Sequence, residues 1–378
     1  MTPRRRPSRY RRSLSDAEPT EDRGPESQGF ARTLVKLVAG ALAGFVVFVL
    51  LATANGAGYR YGVSDQTAYV PVVIRAEDPA AFPRDRALLD TQGRFFIVDE
   101  LLARTTRTTG ISTASAFFAA YLLSLAVVCA GILSLGSSLY PSWWLTIALA
   151  ALATIRHHIP ETSANSLEPY FHPRILALGF GMLATGALMR RRDWLAVGLV
   201  AVAALCHVTT AIWFAILIGT ALAILDQRWR RAALAGTVGA VAILAWVVVA
   251  GPMRAPSATM DAVWIEALAD RSFLFANEWR VSAWAANLGL LAALWWAHVV
   301  RTRRGTATAA DAALVWGATA LVAVFLVALP AVAAHVAVAV QLQLSRVFWI
   351  VDVLLAVYGI AAIGESLIAC QGVPHITS

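Results

Sequence analysis

A chain of 378 residues with 58% hydrophobic and 14% charged side chains is not an ordinary soluble domain, whose charged fraction is about 25%. The net charge of +8 does not mark a nucleic-acid binder: the basic residues are nearly all Arg, with Lys36 the one lysine, and they gather beside apolar runs, where positive charge orients a membrane protein. Cys129, Cys206 and Cys370 have neither metal-ligand nor redox spacing, which argues against a zinc site or a disulfide framework.

Residues 1–33 open with "RRRPSRYRR" and are rich in Arg, Pro, Ser and acids. They cannot bury a core and read as a disordered cytoplasmic tail, basic enough to touch anionic lipid. The apolar run at 34–54 is long enough to cross a bilayer and too long for a secretory signal, so it reads as an uncleaved anchor. It runs outward into a long outer loop, 55–113. The run at 115–138 returns to a short inner turn, "SSLYPS", and 142–155 goes out again. "RHHIPETSANSLEPYFHPR" forms a second outer loop, and 174–189 comes back to "RRR" at 190–192.

From Trp194 to Leu225 the chain is apolar, with basic clusters at both ends. One span cannot have two cytoplasmic ends, so the spacing predicts a helical hairpin with its tip at "CHVTT", residues 206–210; the alternative is a single tilted helix. The run at 232–250 exits to a third outer loop, 282–300 returns to "RTRR", and 312–329 leaves again toward Pro330. The stretch 331–346 lies along the outer face or dips back, and 347–363 ends inside. The expected fold class is therefore all-α and polytopic, with about ten transmembrane helices in one domain, 34–369, a short cytoplasmic tail, 370–378, that reads as cut short, and both termini cytoplasmic. No internal repeat is visible, against the paired-repeat transporters.

Loop 1 contains two amphipathic segments, "SDQTAYVPVVIRAEDP" and "FFIVDELLARTTR", which read as helices lying in the interface. In the second, Phe95, Phe96, Val98, Leu101 and Leu102 form the apolar side and Asp99, Glu100 and Arg104 the polar one. Asp65 is open to three readings: a helix N-cap, a solvated loop charge, or an active-site base. Asp85 in "FPRDR" has the same ambiguity after a proline turn. His172, Arg174, His207 and Arg346 also fall on the outer side, at the mouths of expected spans. Each has a plainer reading, a snorkelling interface Arg or a His satisfying a turn. His157 and His158 read as polar loop residues without a specific role. No histidine spacing marks a metal site, and a divalent metal is left open. Asp352 lies about 9 Å into the last span at 1.5 Å per residue, a costly position that calls for a partner such as Arg174 or a histidine.

The layout resembles the GT-C superfamily of polytopic glycosyltransferases, which take sugar from a polyprenyl-phosphate carrier, as protein O-mannosyltransferases and aminoarabinose transferases do. "YGVSDQ", "FPRD", "YFHPRILAL", "ALCHVTTAIWF" and "QLSRVFW" also resemble an uncharacterised bacterial membrane family near that superfamily. The resemblance implies an enzyme of a bacterial inner membrane that moves a sugar from a polyprenyl-phosphate donor to an acceptor on the outer side, without a bound cofactor. It implies Asp65, with Asp85, as the catalytic carboxylates, and Arg346, Arg174, His172, His207 and Asp352 around the lipid phosphate. Two other readings stand beside it: a transporter or flippase working through Asp352, and a non-catalytic envelope protein of the same fold.

Overall fold

The computed structural model describes residues 25–92, 97–251 and 258–370. The chain divides into two compact units, Met1–Gly44 and Phe45–Ser378. The first contains the start of helix α1 (Pro25–Asn55), which ends in the second. Residues 1–24 of the expected tail lie outside the described residues, but the helix begins well before 34.

Loop 1 carries three helices, α2 (Gln66–Glu77), α3 (Arg86–Gln92) and α4 (Val98–Thr109). The first and third match the two amphipathic segments; α3 was not expected, and Phe95 and Phe96 lie outside the described residues. On α4 the buried face is Val98, Asp99, Leu102, Ala103 and Thr106. Asp99 therefore lies on the packed side, where the sequence reading had put it on the polar one.

The rest of the chain is almost wholly helical: α5 (Thr113–Leu139), α6 (Trp143–Ala153), α7 (Pro173–Met189), α8 (Asp193–Cys206), α9 (Val208–Leu225), α10 (Gln227–Val249), α11 (Ala262–Ala267), α12 (Val281–Arg303), α13 (Ala309–Ala333), α14 (Ala337–Gln341) and α15 (Val347–Cys370). One two-stranded hairpin, β1 (His158–Ile159) with β2 (Ala164–Asn165), interrupts the run between α6 and α7. Every expected apolar run carries a helix. Among the described residues six stretches are long and apolar enough to cross a membrane: Val35–Asn55, Thr113–Leu139, Val208–Leu225, Val281–Arg303, Ala309–Ala333 and Ala337–Leu367. Three shorter apolar helices, α6, α7 and α8, lie among them. The chain is an all-α protein with multi-pass membrane character.

The segment 194–225 is two helices, not one. The chain breaks at His207, whose backbone is extended (φ −157°, ψ 103°). The stretch after α13 folds back: Ala337 N–H donates to Ala258 O at 2.9 Å and Met260 N–H to His335 O at 3.0 Å. A 3-10 turn, Leu344–Arg346, then leads into α15.

Helices α5 and α7 pack at close range through small residues. A Cβ on Gly179 would sit 2.8 Å from the backbone nitrogen of Val128, and one on Gly131 would sit 2.7 Å from Met182 Cβ. Close approach of this kind brings helices together by dispersion where the surroundings are as apolar as the side chains.

At the end of α15 opposite to Arg346, three helices share buried charges. Arg301 on α12 meets Asp311 on α13 at 3.3 Å and Glu365 on α15 at 3.0 Å. Tyr358 donates to Asp311 at 2.9 Å, and Asp311 closes a capping box with Thr308. "RTRR" read as an orientation signal alone, yet Arg301 is buried and ties the three helices together. Breaking one arm of such a network costs about 3–5 kcal/mol, because a charge is left buried without its partner.

Candidate functional site

Two strips of chain build the site. Arg60 N–H donates to Pro169 O at 2.8 Å. Gln66 is fully buried: its Nε2 donates to Phe171 O at 3.0 Å and its Oε1 accepts Gly62 N–H at 2.8 Å. These bonds sew "YGVSDQ" onto "EPYFHP" and bring Asp65 over His172. Ser64, at φ +53°, gives the sharp turn just before it.

Asp65 occupies the N-cap position of α2, but its side chain makes no cap bond. The carboxylate instead lies 2.9 Å from His172 Nε2. The two differ sharply in surroundings: the Asp65 side chain is 48% exposed and that of His172 is 3% exposed. His172 Nδ1 accepts the backbone N–H of Arg174 at 3.1 Å, capping α7. An accepting Nδ1 leaves the proton on Nε2, so His172 is the donor to Asp65. Burial, with the Arg174 charge beside it, pushes the His172 pKa down to about 3. The hydrogen bond from His172 holds the Asp65 carboxyl well below the usual carboxylate range, with Arg174 and Arg346 adding to it. The pair is thus a neutral imidazole behind an ionised carboxylate whose other face is open.

His207 repeats the arrangement one helix over. Its Nδ1 accepts from Thr210 N–H at 3.3 Å and Thr210 Oγ1 at 2.9 Å, capping α9. Burial holds its pKa well below the ordinary histidine value. The His172 and His207 rings meet edge to face with centroids 5.9 Å apart. Tyr69, one turn into α2, packs edge-on against His172 at 5.4 Å. Two helix N-termini, each a source of partial positive charge, therefore converge beside Asp65.

Two arginines complete the cluster. Arg174 is buried, so it is not a snorkelling residue; its Nη2 pairs with Glu168 at 2.5 Å. Glu168 also takes Asn165 Nδ2 at 3.2 Å and stands 4.0 Å from Arg156. Arg346 makes no ion pair among the described residues, and its guanidinium lies over the Phe273 ring, 5.7 Å from the centroid. The Nε atoms of both arginines are buried without a hydrogen-bond partner. A buried charged donor left unpaired is costly, and an anion would satisfy it in the geometry guanidinium favours.

Two expected members stand apart. Asp85 is exposed at the start of α3, and nothing ties it to Asp65. Asp352 pairs with neither Arg174 nor the cluster: it meets His157 Nε2 at 2.8 Å, and this bond raises the His157 pKa. His157, expected to have no specific role, is thus the partner of Asp352.

Gln66 was missed, Glu168 was placed only in the second outer loop, and Asp99 only on a polar helix face. Asp99 is 8% exposed and its Oδ1 has no partner. It lines a narrow apolar cleft with Tyr69, Val73, Leu102, Phe117 and Phe171. Burial, then Glu100, pushes its pKa up to about 7. The signal was present, since Asp99 shares a helical stripe with Leu102 and Thr106. Among the described residues no three His, Cys, Asp or Glu side chains converge to hold a metal ion. The cluster as a whole can hold an anion and orient or deprotonate a hydroxyl next to it. Comparisons of the chain with protein-family models, curated proteins and solved structures find no match.

Proposed function

We propose that the chain is a GT-C-like membrane transferase, moving a sugar from a polyprenyl-phosphate donor to an acceptor hydroxyl on the outer side of a bacterial inner membrane. One observation carries the reading: the open, ionised Asp65 rests on neutral His172, beside arginines whose buried Nε atoms lack partners. In this reading the acceptor hydroxyl bonds to the exposed carboxylate oxygen. As the new C–O bond forms at the sugar, the bond from that carbon to the phosphate oxygen breaks. The hydroxyl proton passes to Asp65 and then to solvent. The electron pair leaves on the lipid phosphate, held by Arg346 and Arg174 and by the N-termini of α7 and α9. The low pKa of Asp65 keeps it ionised across the whole neutral range and makes it a weak base, suited to orienting the hydroxyl and taking its proton late, as the C–O bond forms.

The same reading takes ten membrane passes, with both termini cytoplasmic. The transport alternative rests on Asp352, which pairs with the half-exposed His157 rather than with the Asp65 cluster. The decisive experiment is Asp65→Asn in reconstituted vesicles. General-base contributions run to about 10²–10⁴ in rate, so transfer falls by at least a hundredfold while polyprenyl-phosphate binding persists. Full transfer by the variant would sink the assignment.

A further inference from the structure

A second, polar cleft lies next to the cluster and has no part in the chemistry above. It is lined by His158, Glu161, Ser163, Asp270, Arg271 and Phe273, with a volume of about 440 Å³, inside the range of about 300–1,000 Å³ typical of small-molecule sites. Phe273 is its link to the cluster, because the same ring lies under the Arg346 guanidinium.

The walls are fixed rather than loose. Asn287 on α12 donates to Pro160 O at 2.8 Å and holds the β1–β2 turn. Ser345, the residue before Arg346, donates to Phe273 O at 2.9 Å. Trp279 Nε1 donates to Ser272 O at 3.1 Å, and Ser272 donates to Glu161 across the cleft. Within the turn, Glu161 (φ +52°) and Ser163 (φ +51°) hold left-handed backbone without being glycine. Such strain, of order 1–3 kcal/mol per residue, persists where the surrounding structure enforces it.

The lining selects a ligand class. Two carboxylates repel a phosphate, and the charged walls leave nothing for a purely apolar molecule. A sugar has vicinal hydroxyls, which paired carboxylate oxygens and a guanidinium fork can each bind twice. It also has a C–H face, which an aromatic ring such as Phe273 can cover. We propose that this cleft binds the hydroxyl-rich sugar acceptor, presenting one of its hydroxyls toward Asp65 past the Phe273–Arg346 contact. The proposal rests on the transferase reading for the word acceptor, but the binding site stands on its own geometry.

The test uses the full chain in detergent and saturation-transfer difference NMR with the methyl glycosides of glucose, mannose, galactose and N-acetylglucosamine. At least one glycoside is expected to bind. Asp270→Asn and Phe273→Leu each weaken it at least fivefold, and Gly198→Ala, in α8 and outside the cleft lining, leaves it unchanged. Asp270 makes no hydrogen bond or ion pair among the described residues, so its replacement does not disturb the fold. Absence of binding by all four glycosides overturns the proposal, as does binding that neither cleft variant changes. A vesicle transfer assay separates the two ideas. Glycoside binding in the cleft without any transfer upholds the site and removes the transferase reading. Transfer with an acceptor KM unaltered in Asp270→Asn and Phe273→Leu removes the site and keeps the reading.

Discussion

Asp65 gains its character from a residue that is invisible beside it in the chain. A carboxylate facing water is ordinary; one resting on a buried, neutral imidazole is held in one orientation and one charge state. The two histidines also set an acid limit on the fold. His172 stays neutral in the folded protein down to about pH 3, whereas the unfolded chain takes up a proton near 6.5. Below about 6.5 the unfolded state binds more protons, so stability falls as pH falls. Asp99 works in the opposite direction. Its folded pKa of about 7 lies above the ordinary 3.8, so the fold keeps a proton that the unfolded chain has lost, and stability falls as pH rises between those values. Asp99→Asn removes that loss. The variant is expected to be more stable than the parent by about 1–3 kcal/mol at pH 8, the cost of an unsatisfied buried polar group. The advantage shrinks toward pH 4, and thermal unfolding of both proteins at pH 5 and pH 8 measures it. An advantage that did not change with pH would mean that Asp99 does not titrate in this window.

At the level of helices, packing depends on where the chain can come close. Gly179→Ala pushes a methyl to 2.8 Å from Val128 N and 2.9 Å from Val127 C, and both are backbone atoms that cannot swing aside. The α5–α7 pair must separate, at about 1–3 kcal/mol for overpacking. Gly198, within α8, has nothing within 4 Å of a Cβ, so Gly198→Ala is neutral or gains up to about 1 kcal/mol in helix propensity. Thermal unfolding in detergent should therefore move in opposite directions for the two, and a matched loss would put the cause in glycine itself rather than in the contact. Elements of this kind were legible because apolar run length and basic flanks act locally. The break at His207 was legible for the same reason, since two basic ends are incompatible with one crossing. The start of α1 and the short α3 were not, because polar residues near a helix end carry no periodic signal. The cluster was legible only in part: Asp85 and Asp352 stand apart from it, Gln66 was not foreseen, and its pairings were not. Asp65, His172, Arg174, His207 and Arg346 were marked by chemistry at span mouths. Their partners were hidden by distance along the chain: Gln66 bonds a carbonyl 105 residues away, and Asp352 bonds a histidine 195 residues away.

Over the whole molecule, α15 joins two polar systems, Arg346 at its start and the Arg301–Asp311–Glu365 network near its end. In the proposed ten-pass topology the chain's path through the membrane turns on the α8–α9 hairpin. Helix α8 has 14 residues, about 21 Å at 1.5 Å per residue, which is shorter than a hydrocarbon core of about 30 Å. If α8 and α9 both begin and end at one surface, His207 stops short of the other. The bilayer must then thin around the His172–His207 end, and lipid phosphate is drawn down to the Asp65 cluster instead of the protein reaching up to it. Single cysteines in a background lacking Cys129, Cys206 and Cys370 test this. Arg192→Cys and Arg230→Cys flank the hairpin, and His158→Cys and Asp270→Cys lie in the loops of the sugar cleft. In intact cells a membrane-impermeant maleimide should label the last two and spare the first two, which react only after permeabilisation. Labelling of Arg192→Cys and Arg230→Cys from opposite sides would turn the hairpin into a crossing. It would also reverse the orientation of α10 and every helix after it, and so separate Arg346 from the side on which Asp65 acts. That outcome conflicts with Arg346 and Asp65 sharing one electrostatic cluster, so the hairpin and the site stand or fall together.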